Sequence, residues 1–406
     1  MKDALANLIA PITTEDFLAQ YWEQSPLRVA RNERDYFGKI LHPQEIEEVL
    51  TTACLTHSDS IELLGETAKK EGGIQRHSMH FLAEAFNRGA TIRLLHTQRL
   101  HPPLRHLTRD LERGLSCPVG ANLYWTPPQQ QGLQRHWDMH DVLVLQIAGR
   151  KHWRVCEAPV ALPLQSPPAV SLEEQRTLMW ERGAVPTKTM HAMSEQSAIQ
   201  SEFTLEQGDT LYLPRGVPHE AWTGESASAH LTIGFHVLTW TDLLGVALGQ
   251  VANQDARFRK ALPVGFAAST LDEGLWQEQV HALLQSFVER LNVTNAFEEL
   301  AEIFIRNRPD VGSPGESEME SALDADTRLA HHSGRLCRVI VQAEAVALYW
   351  GHGKFEAPRV METALRFIAQ TSSFRVGEIP GGLSQRNQIA LVRQLVVKRF
   401  LRVLSE

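Results

Sequence analysis

The chain has 406 residues, 43% of them hydrophobic and 22% charged, with a formal net charge of −8. That length and apolar content suit two or three domains with a sizeable core and exclude wholesale disorder. The acidic balance excludes a chain-wide basic surface for nucleic acid.

The N-terminal segment "MKDALANLIAPITTEDF" lacks a cationic head followed by a long apolar run, so no signal peptide is read. Residues 14–24, "TEDFLAQYWEQ", predict a short helix capped by Thr13 or Thr14. Ser25-Pro26 stops it, and "LRVA" reads as an edge strand. A second short helix is predicted over 43–51, with Pro43 at its start. "SIELLG" reads as a strand, 78–88 as a helix ending at Gly89, "ATIRLLH" as a strand and "PPLRHLTRDLERGL" as a helix.

From 118 to 240 the texture changes to short β-rich runs broken by Gly and Pro: "GANLYWTPP", "DVLVLQIAG", "KHWRVCEA", "SEFTLEQGD", "TLYLPRG", "HEAWTG" and "AHLTIGFHVL". Many short strands with turn signals between them predict a sandwich or barrel. Residues 158–198 interrupt the pattern with Pro, Gln and Ser and read as a long surface insertion. After Trp240, "LWQEQVHALLQSFVERL" repeats apolar residues at Leu275, Val280, Leu283, Leu284, Phe287, Val288 and Leu291, an amphipathic helical spacing that "AFEELAEIFIRNR" continues. The acidic, Pro- and Gly-containing stretch 309–326 reads as a linker or loop. The last eighty residues give "SGRLCRVIV", a helix near 358–370, "FRVGEIPGG" and a helix from Ser384 to about Phe400, a pattern that suggests a winged helix. The resulting division is 1–117, an N-terminal α/β part; 118–240, the β core; 241–308, a helical region; 309–326, a linker; and 327–406, a winged-helix-like domain.

The four cysteines, Cys54, Cys117, Cys156 and Cys337, are scattered and form no C-x-x-C pair. This argues against a disulfide framework or zinc knuckle and suits a reducing cytoplasm. No run approaches the 18 apolar residues of a membrane span.

Within the β core, "QRHWDMHDV" opens the apolar run "VLVLQIAG". Residues two apart in a strand share a face, so His136 and Asp138 project together while Trp137 points away. Parity leaves His140 on the same face as well. An imidazole and a carboxylate supply two metal ligands, and a third must come from elsewhere. The best candidate is His219, at the end of "GDTLYLPRGVPH". Two histidines and one carboxylate make the facial triad of non-haem Fe(II), with three positions left open. The absence of a thiolate disfavours structural zinc. H-x-D alone is a weak motif; its placement before a buried strand, with "GRKHW" after it and "GD…PRG.PH" later, makes the combination specific.

"ANLYWTPPQQQGLQRHWDMHDVLVLQIAGRKHWRV" together with "FTLEQGDTLYLPRGVPHEA" resembles the Jumonji C (JmjC) hydroxylases of the ribosomal oxygenase group, a cupin-like family. "FLAQYWEQSPLRV" is similar to that group's opening segment. The resemblance implies an α+β fold with a mainly β core, a double-stranded β-helix of jelly-roll type, followed by a helical middle region and a C-terminal winged helix. It implies Fe(II) held by His136, Asp138 and His219, with 2-oxoglutarate and O₂ as co-substrates and ascorbate as a reductant in vitro. Lys151 in "GRKHW" matches the basic residue that takes the distal carboxylate of 2-oxoglutarate; a buried anion needs such a cation. Asn122, Tyr124 and Thr126 alternate along one strand, and Ser228, His230 and Thr232 along another; of these, Asn122, Tyr124 and Thr232 are candidate co-substrate contacts. Gly234 stands where the family often shows a serine.

The implied activity is hydroxylation of an Arg or His side chain of a ribosomal protein by a homodimer, with no catalytic residue beyond the iron ligands. Two other readings are a 2-oxoglutarate oxygenase for a small molecule or modified peptide, and a non-catalytic metal-binding cupin. The last helix carries Arg386, Arg393, Lys398, Arg399 and Arg402, but also an apolar face, so docking rather than direct nucleic-acid binding is expected of it.

Overall fold

A computed structural model describes residues 3–65, 78–164, 194–265, 273–308, 323–331, 336–341, 343–351 and 353–404. Most of the expected 158–198 insertion and of the 309–326 linker lies outside these residues. Two compact units divide the chain, 1–237 and 238–406.

The first unit opens with three helices, α1 (Asp3–Ile9), α2 (Thr14–Gln20) and α3 (Ile46–Thr56), with strand β1 (Leu27–Val29) between the last two. Thr13 caps α2, its hydroxyl accepting the Asp16 amide at 3.0 Å. β2 (Ile61–Leu64), α4 (Met79–Asn87), β3 (Thr91–Leu94) and α5 (Pro102–Leu115) follow. Helix α1 had no counterpart in the sequence reading, because seven residues show too few periodic positions. The β core then supplies β4 (Val119–Thr126), β5 (Asp141–Ala148), β6 (Lys151–Cys156), β7 (Ile199–Leu205), β8 (Thr210–Leu213), β9 (His219–Trp222) and β10 (Ser228–Phe235).

These strands build two antiparallel sheets, one of seven strands in the order β1-β8-β5-β10-β4-β3-β2 and one of three in the order β7-β6-β9. The fold is the cupin-like double-stranded β-helix. Residues 1–117 are not a separate body, since β1 extends one edge of the large sheet and β3 and β2 the other.

Strand alternation sorts the large sheet into two faces. Leu123, Leu143, Leu145, Leu231, Ile233 and Phe235 are fully buried in the main core, which also takes Leu8, Phe17, Leu50 and Leu104 from the helices. The opposite face contributes Val142, Val144, Leu211 and Leu213 to a smaller core with Trp153, Val155 and Leu205 of the three-stranded sheet. The site lies on this inner side.

The second unit begins with α6 (Trp240–Gln254), α7 (Glu273–Arg290) and α8 (Val293–Arg306). Leu243, Ala247 and Ala296 are buried where these helices pack, with Phe287 of α7 and Leu291 just beyond its end against them. It ends with strands β11 (Arg328–His331), β12 (Cys337–Val341), β13 (Ala345–Trp350), β14 (Gly353–Pro358), β15 (Ser373–Arg375) and β16 (Leu401–Val403), in two three-stranded sheets, β15-β11-β16 and β12-β13-β14, and helices α9 (Glu362–Gln370) and α10 (Gln385–Val397). The hairpin β13 (Ala345–Trp350) and β14 (Gly353–Pro358) gives this part more strand than its sequence suggested. Among the described residues, no helix is long and apolar enough to cross a membrane.

Candidate metal and co-substrate site

The chain enters β5 through the segment 134–138, which lies against the start of β9. His136 and His219 face each other across a main-chain bridge: each amide donates to the other's carbonyl, at 3.1 and 2.7 Å. One ligand atom from each of His136, Asp138 and His219 lies within 4.8 Å of the others. His219 Nε2 is 3.7 Å from Asp138 Oδ2, and the two imidazole centroids are 4.6 Å apart.

Each imidazole is oriented from behind. His136 Nδ1 lies 2.7 Å from the Gln134 carbonyl and His219 Nδ1 3.0 Å from the Val217 carbonyl. A carbonyl only accepts, so Nδ1 carries the proton and Nε2 presents its lone pair. Burial, together with the neighbouring His136, pushes His219 down to about 4, which keeps its ring neutral. Burial alone would raise the Asp138 carboxyl, but the imidazoles of His140, His136 and His219 outweigh it and hold the group below the usual carboxylate range. Two imidazole nitrogens and one carboxylate, with no thiolate, fit a divalent iron with positions left open.

The same cleft extends to Lys151. Its lining includes Thr91, Tyr124, Val144, Trp153, His230 and Thr232 besides the three ligand candidates. Gly149 makes the turn that delivers Lys151: its φ is +65°, and a Cβ there would sit 2.1 Å from the Ala227 carbonyl oxygen. Lys151 is 3% exposed, and Nζ donates to Thr126 Oγ1 at 3.0 Å and lies 3.4 Å from His230 Nδ1. Among the described residues no carboxylate pairs with it, and burial pushes its pKa down to about 7. His230, buried beside Lys151, is pushed well below its ordinary value and stacks on the Tyr124 ring at 4.8 Å. A buried cation held by a hydroxyl and an imidazole, without a counter-charge, is a binding point for an anion.

The other singled-out residues divide between the cleft and its surroundings. Tyr124 and Thr232 line the cleft. Asn122 does not; its Oδ1 accepts the His96 amide at 3.0 Å. His140, which strand parity left open, stacks on His236 at 4.5 Å and is outside the three-ligand group. Gly234 gives that ring its space: a Cβ would come within 2.7 Å of His140 Cδ2. Arg150 and His152 point away, Arg150 to Glu206 at 2.8 Å and His152 to Thr204 at 2.9 Å. Thr91 had no sequence signal. It lies on β3, outside the motif-bearing core, and reaches Thr126 at 3.2 Å.

Comparison with known proteins bears on the family and the fold. Residues 93–243 match the family model of the JmjC domain. Over 275 residues the chain is 31% identical to a bifunctional lysine-specific demethylase and histidyl-hydroxylase NO66 of Culex quinquefasciatus, covering 64% of this chain and 39% of that protein. It is 26% identical over 382 residues to ribosomal oxygenase 1 of Gallus gallus, covering 84% and 60%. The chain thus spans between about two fifths and three fifths of these relatives' lengths. Among solved structures, the Escherichia coli ribosomal oxygenase YcfD in complex with cobalt and succinic acid superposes with a TM-score of 0.57 at 18% identity, covering 97% of this chain and 99% of that one. The same protein with cobalt and 2-oxoglutarate gives 0.54 at 18% identity, with the same coverage.

Proposed function

We propose that this chain, a JmjC-domain protein of the ribosomal oxygenase group, is an Fe(II)- and 2-oxoglutarate-dependent hydroxylase acting on an Arg or His side chain of a ribosomal protein. The observation that carries this reading is the pairing, in one cleft, of a two-His-one-carboxylate set with a buried lysine that lacks a carboxylate partner among the described residues. A metal site alone would not require the lysine.

His136, Asp138 and His219 would hold the iron, and Lys151 the far carboxylate of 2-oxoglutarate. When bound, the pair supplies oxidising power: O₂ gives one oxygen atom to the co-substrate, which leaves as succinate and CO₂, and the other to a C–H bond of the target. The chain itself provides orientation and dryness. The carbonyls of Gln134 and Val217 aim the imidazoles, while Val142, Val144 and Trp153 line the cleft with apolar surface. Thr126 and His230 keep the Lys151 ammonium inside the cleft. Tyr124, stacked on His230, restricts that ring. No general base is needed.

The acidic net charge of −8 favours a basic protein target, and the Gallus gallus relative is named a ribosomal oxygenase. A homodimer is part of the proposal. On α7, Val280, Leu284 and Val288 are 52%, 56% and 71% exposed, one stripe at helical spacing, and on α6 Trp240, Leu244 and Leu248 are 74%, 49% and 46% exposed. The scattered cysteines, with no C-x-x-C pair, suit a cytoplasmic location.

The test is mass spectrometry of isolated ribosomal proteins after incubation with the protein, Fe(II), ascorbate and 2-oxoglutarate. One protein gaining a single oxygen, with none gained in the His136→Ala control, is the expected result. Succinate formation with no oxygen on any ribosomal protein would move the target to other peptides or small molecules. Neither product would leave a non-catalytic cupin.

A further inference from the structure

We propose that Glu220 is a positioning residue that locks the two candidate histidine ligands into register from the far side of the sheet. The proposal rests on the metal-site reading above and adds a residue to it.

The main-chain bridge between His136 and His219 joins a segment of irregular structure, 134–138, to the regular strand β9. By antiparallel pairing, the neighbours Arg135 and Glu220 then stand opposite each other, with side chains on the face away from the imidazoles. Arg135 donates to Glu220 Oε1 through Nη2 at 2.8 Å and Nε at 3.2 Å. On the other side of β9, Arg154 of β6 is the direct partner of Glu220, and its Nη1 donates to the same oxygen at 2.8 Å. Gln131 Nε2 reaches Oε2 at 3.3 Å. One carboxylate therefore accepts from the irregular segment and from β6 at once, with His219 next to it in the chain.

The cluster differs from a solvated surface pair, whose net worth is about 0–1 kcal/mol. The side chains of Glu220 and Arg135 are only 14% and 17% exposed. Arg135 also donates to the carbonyls of Glu195 and Ser197, at 3.2 and 3.5 Å. The Gln134 carbonyl that orients His136 belongs to the same segment, so a shift there moves both the ligand and the group that aims it. Groups hydrogen-bonded to a ligand are worth about 10- to 100-fold in metal affinity; Glu220 acts through the main chain beside both ligands, and the same range is expected for its loss.

The experiment is cobalt(II) titration of the metal-free full chain, followed by calorimetry and by the visible absorption band of the bound ion, for the unmutated protein, Glu220→Ala, Glu220→Gln, Arg135→Met, Glu202→Gln and His136→Ala. Glu202 pairs with Arg154 on the same face at 3.0 Å but does not touch the 134–138 segment. The expected result is a cobalt Kd raised about 10- to 100-fold in Glu220→Ala and Arg135→Met, a smaller rise in Glu220→Gln, no change in Glu202→Gln, and an altered visible band where the Kd rises. A Kd within twofold of the unmutated protein in both Glu220→Ala and Arg135→Met would overturn the proposal, even if their melting temperatures fall. If Glu220→Ala does not fold, the Arg135→Met and Glu220→Gln titrations decide in the same way. If instead His136→Ala binds cobalt as the unmutated protein does, the metal-site reading fails, and the proposal fails with it.

Discussion

Strands β4 and β10 have two faces, and the contrast between them separates stability from chemistry. One face carries Ala121, Leu123, Leu231, Ile233 and Phe235, all fully buried in the main core. The other carries Tyr124, Thr126, Ser228, His230 and Thr232, which in a bland sheet would be solvated polar positions. Here a second, three-stranded sheet covers them. Thr126 and His230 are therefore as buried as the leucines behind them, at 0% and 3% exposure, and their polar atoms converge on Lys151. The first face gains from water exclusion directly. The second excludes water so that, among the described residues, one charge is left without a counter-charge. In the proposed function an anion supplies it.

Substitutions on each face test that division. The largest effect belongs to the metal end: His136→Ala or Asp138→Ala should bring product to the level of an enzyme-free control, read by succinate release, while the metal-free protein still folds. Full activity in either variant would remove that residue from the ligand set. Next, Ile233→Ala on the core face should cost about 2–5 kcal/mol of stability in urea unfolding, with turnover per folded molecule retained. Its neighbour Thr232→Ala, on the inner face, should cost less than about 1 kcal/mol and show itself in the KM for 2-oxoglutarate. Equal destabilisation by the two would break the comparison.

Lys151→Met should raise the KM for 2-oxoglutarate about 10- to 100-fold, the worth of one hydrogen-bonded charge. The same lysine predicts a pH dependence. Its pKa in the folded, ligand-free protein is about 7, so the attracting ammonium is present below that pH and lost above it. The value of kcat/KM for 2-oxoglutarate should therefore fall as pH rises from about 7, by at most tenfold per unit, with a proton taken up on binding. A flat profile from pH 6.5 to 8.5 would mean that Lys151 stays charged in the free protein. Because the unfolded lysine keeps its proton up to about 10.4, the ligand-free fold should gain stability as pH rises above 7. The smallest effect is expected of Gly234→Ser, whose Cβ meets the His140 ring: a loss of about 1 kcal/mol, checked by thermal melting, with catalysis reduced less than by any change at Lys151.

Much of this was legible in the amino-acid order. The short β-rich runs "DVLVLQIAG" and "AHLTIGFHVL", set off by Gly and Pro, determined short strands. H-x-D before one strand and "PRGVPH" before another marked where ligands could stand, and "GRKHW" placed a lysine at the head of β6. Local periodicity and turn chemistry act over a few residues, so they can be read from a few residues.

Tertiary structure decided the rest. Of the two acids in "HWDMHDV", Asp138 joins the histidines, whereas Asp141 turns to the core side and is satisfied there by Tyr212 and Arg215, both at 2.8 Å. His140 stacks on His236 and stands outside the ligand set, which parity along one strand cannot reveal. Glu220 is unremarkable in sequence; Arg135 and Arg154 meet it only because β9 runs between the two segments that carry them. Burial decided the state of Lys151, since a lysine is an ordinary cation until a second sheet removes its water. Each of these outcomes depends on which strands become neighbours across long stretches of chain, a property of the folded sheet that no local pattern carries.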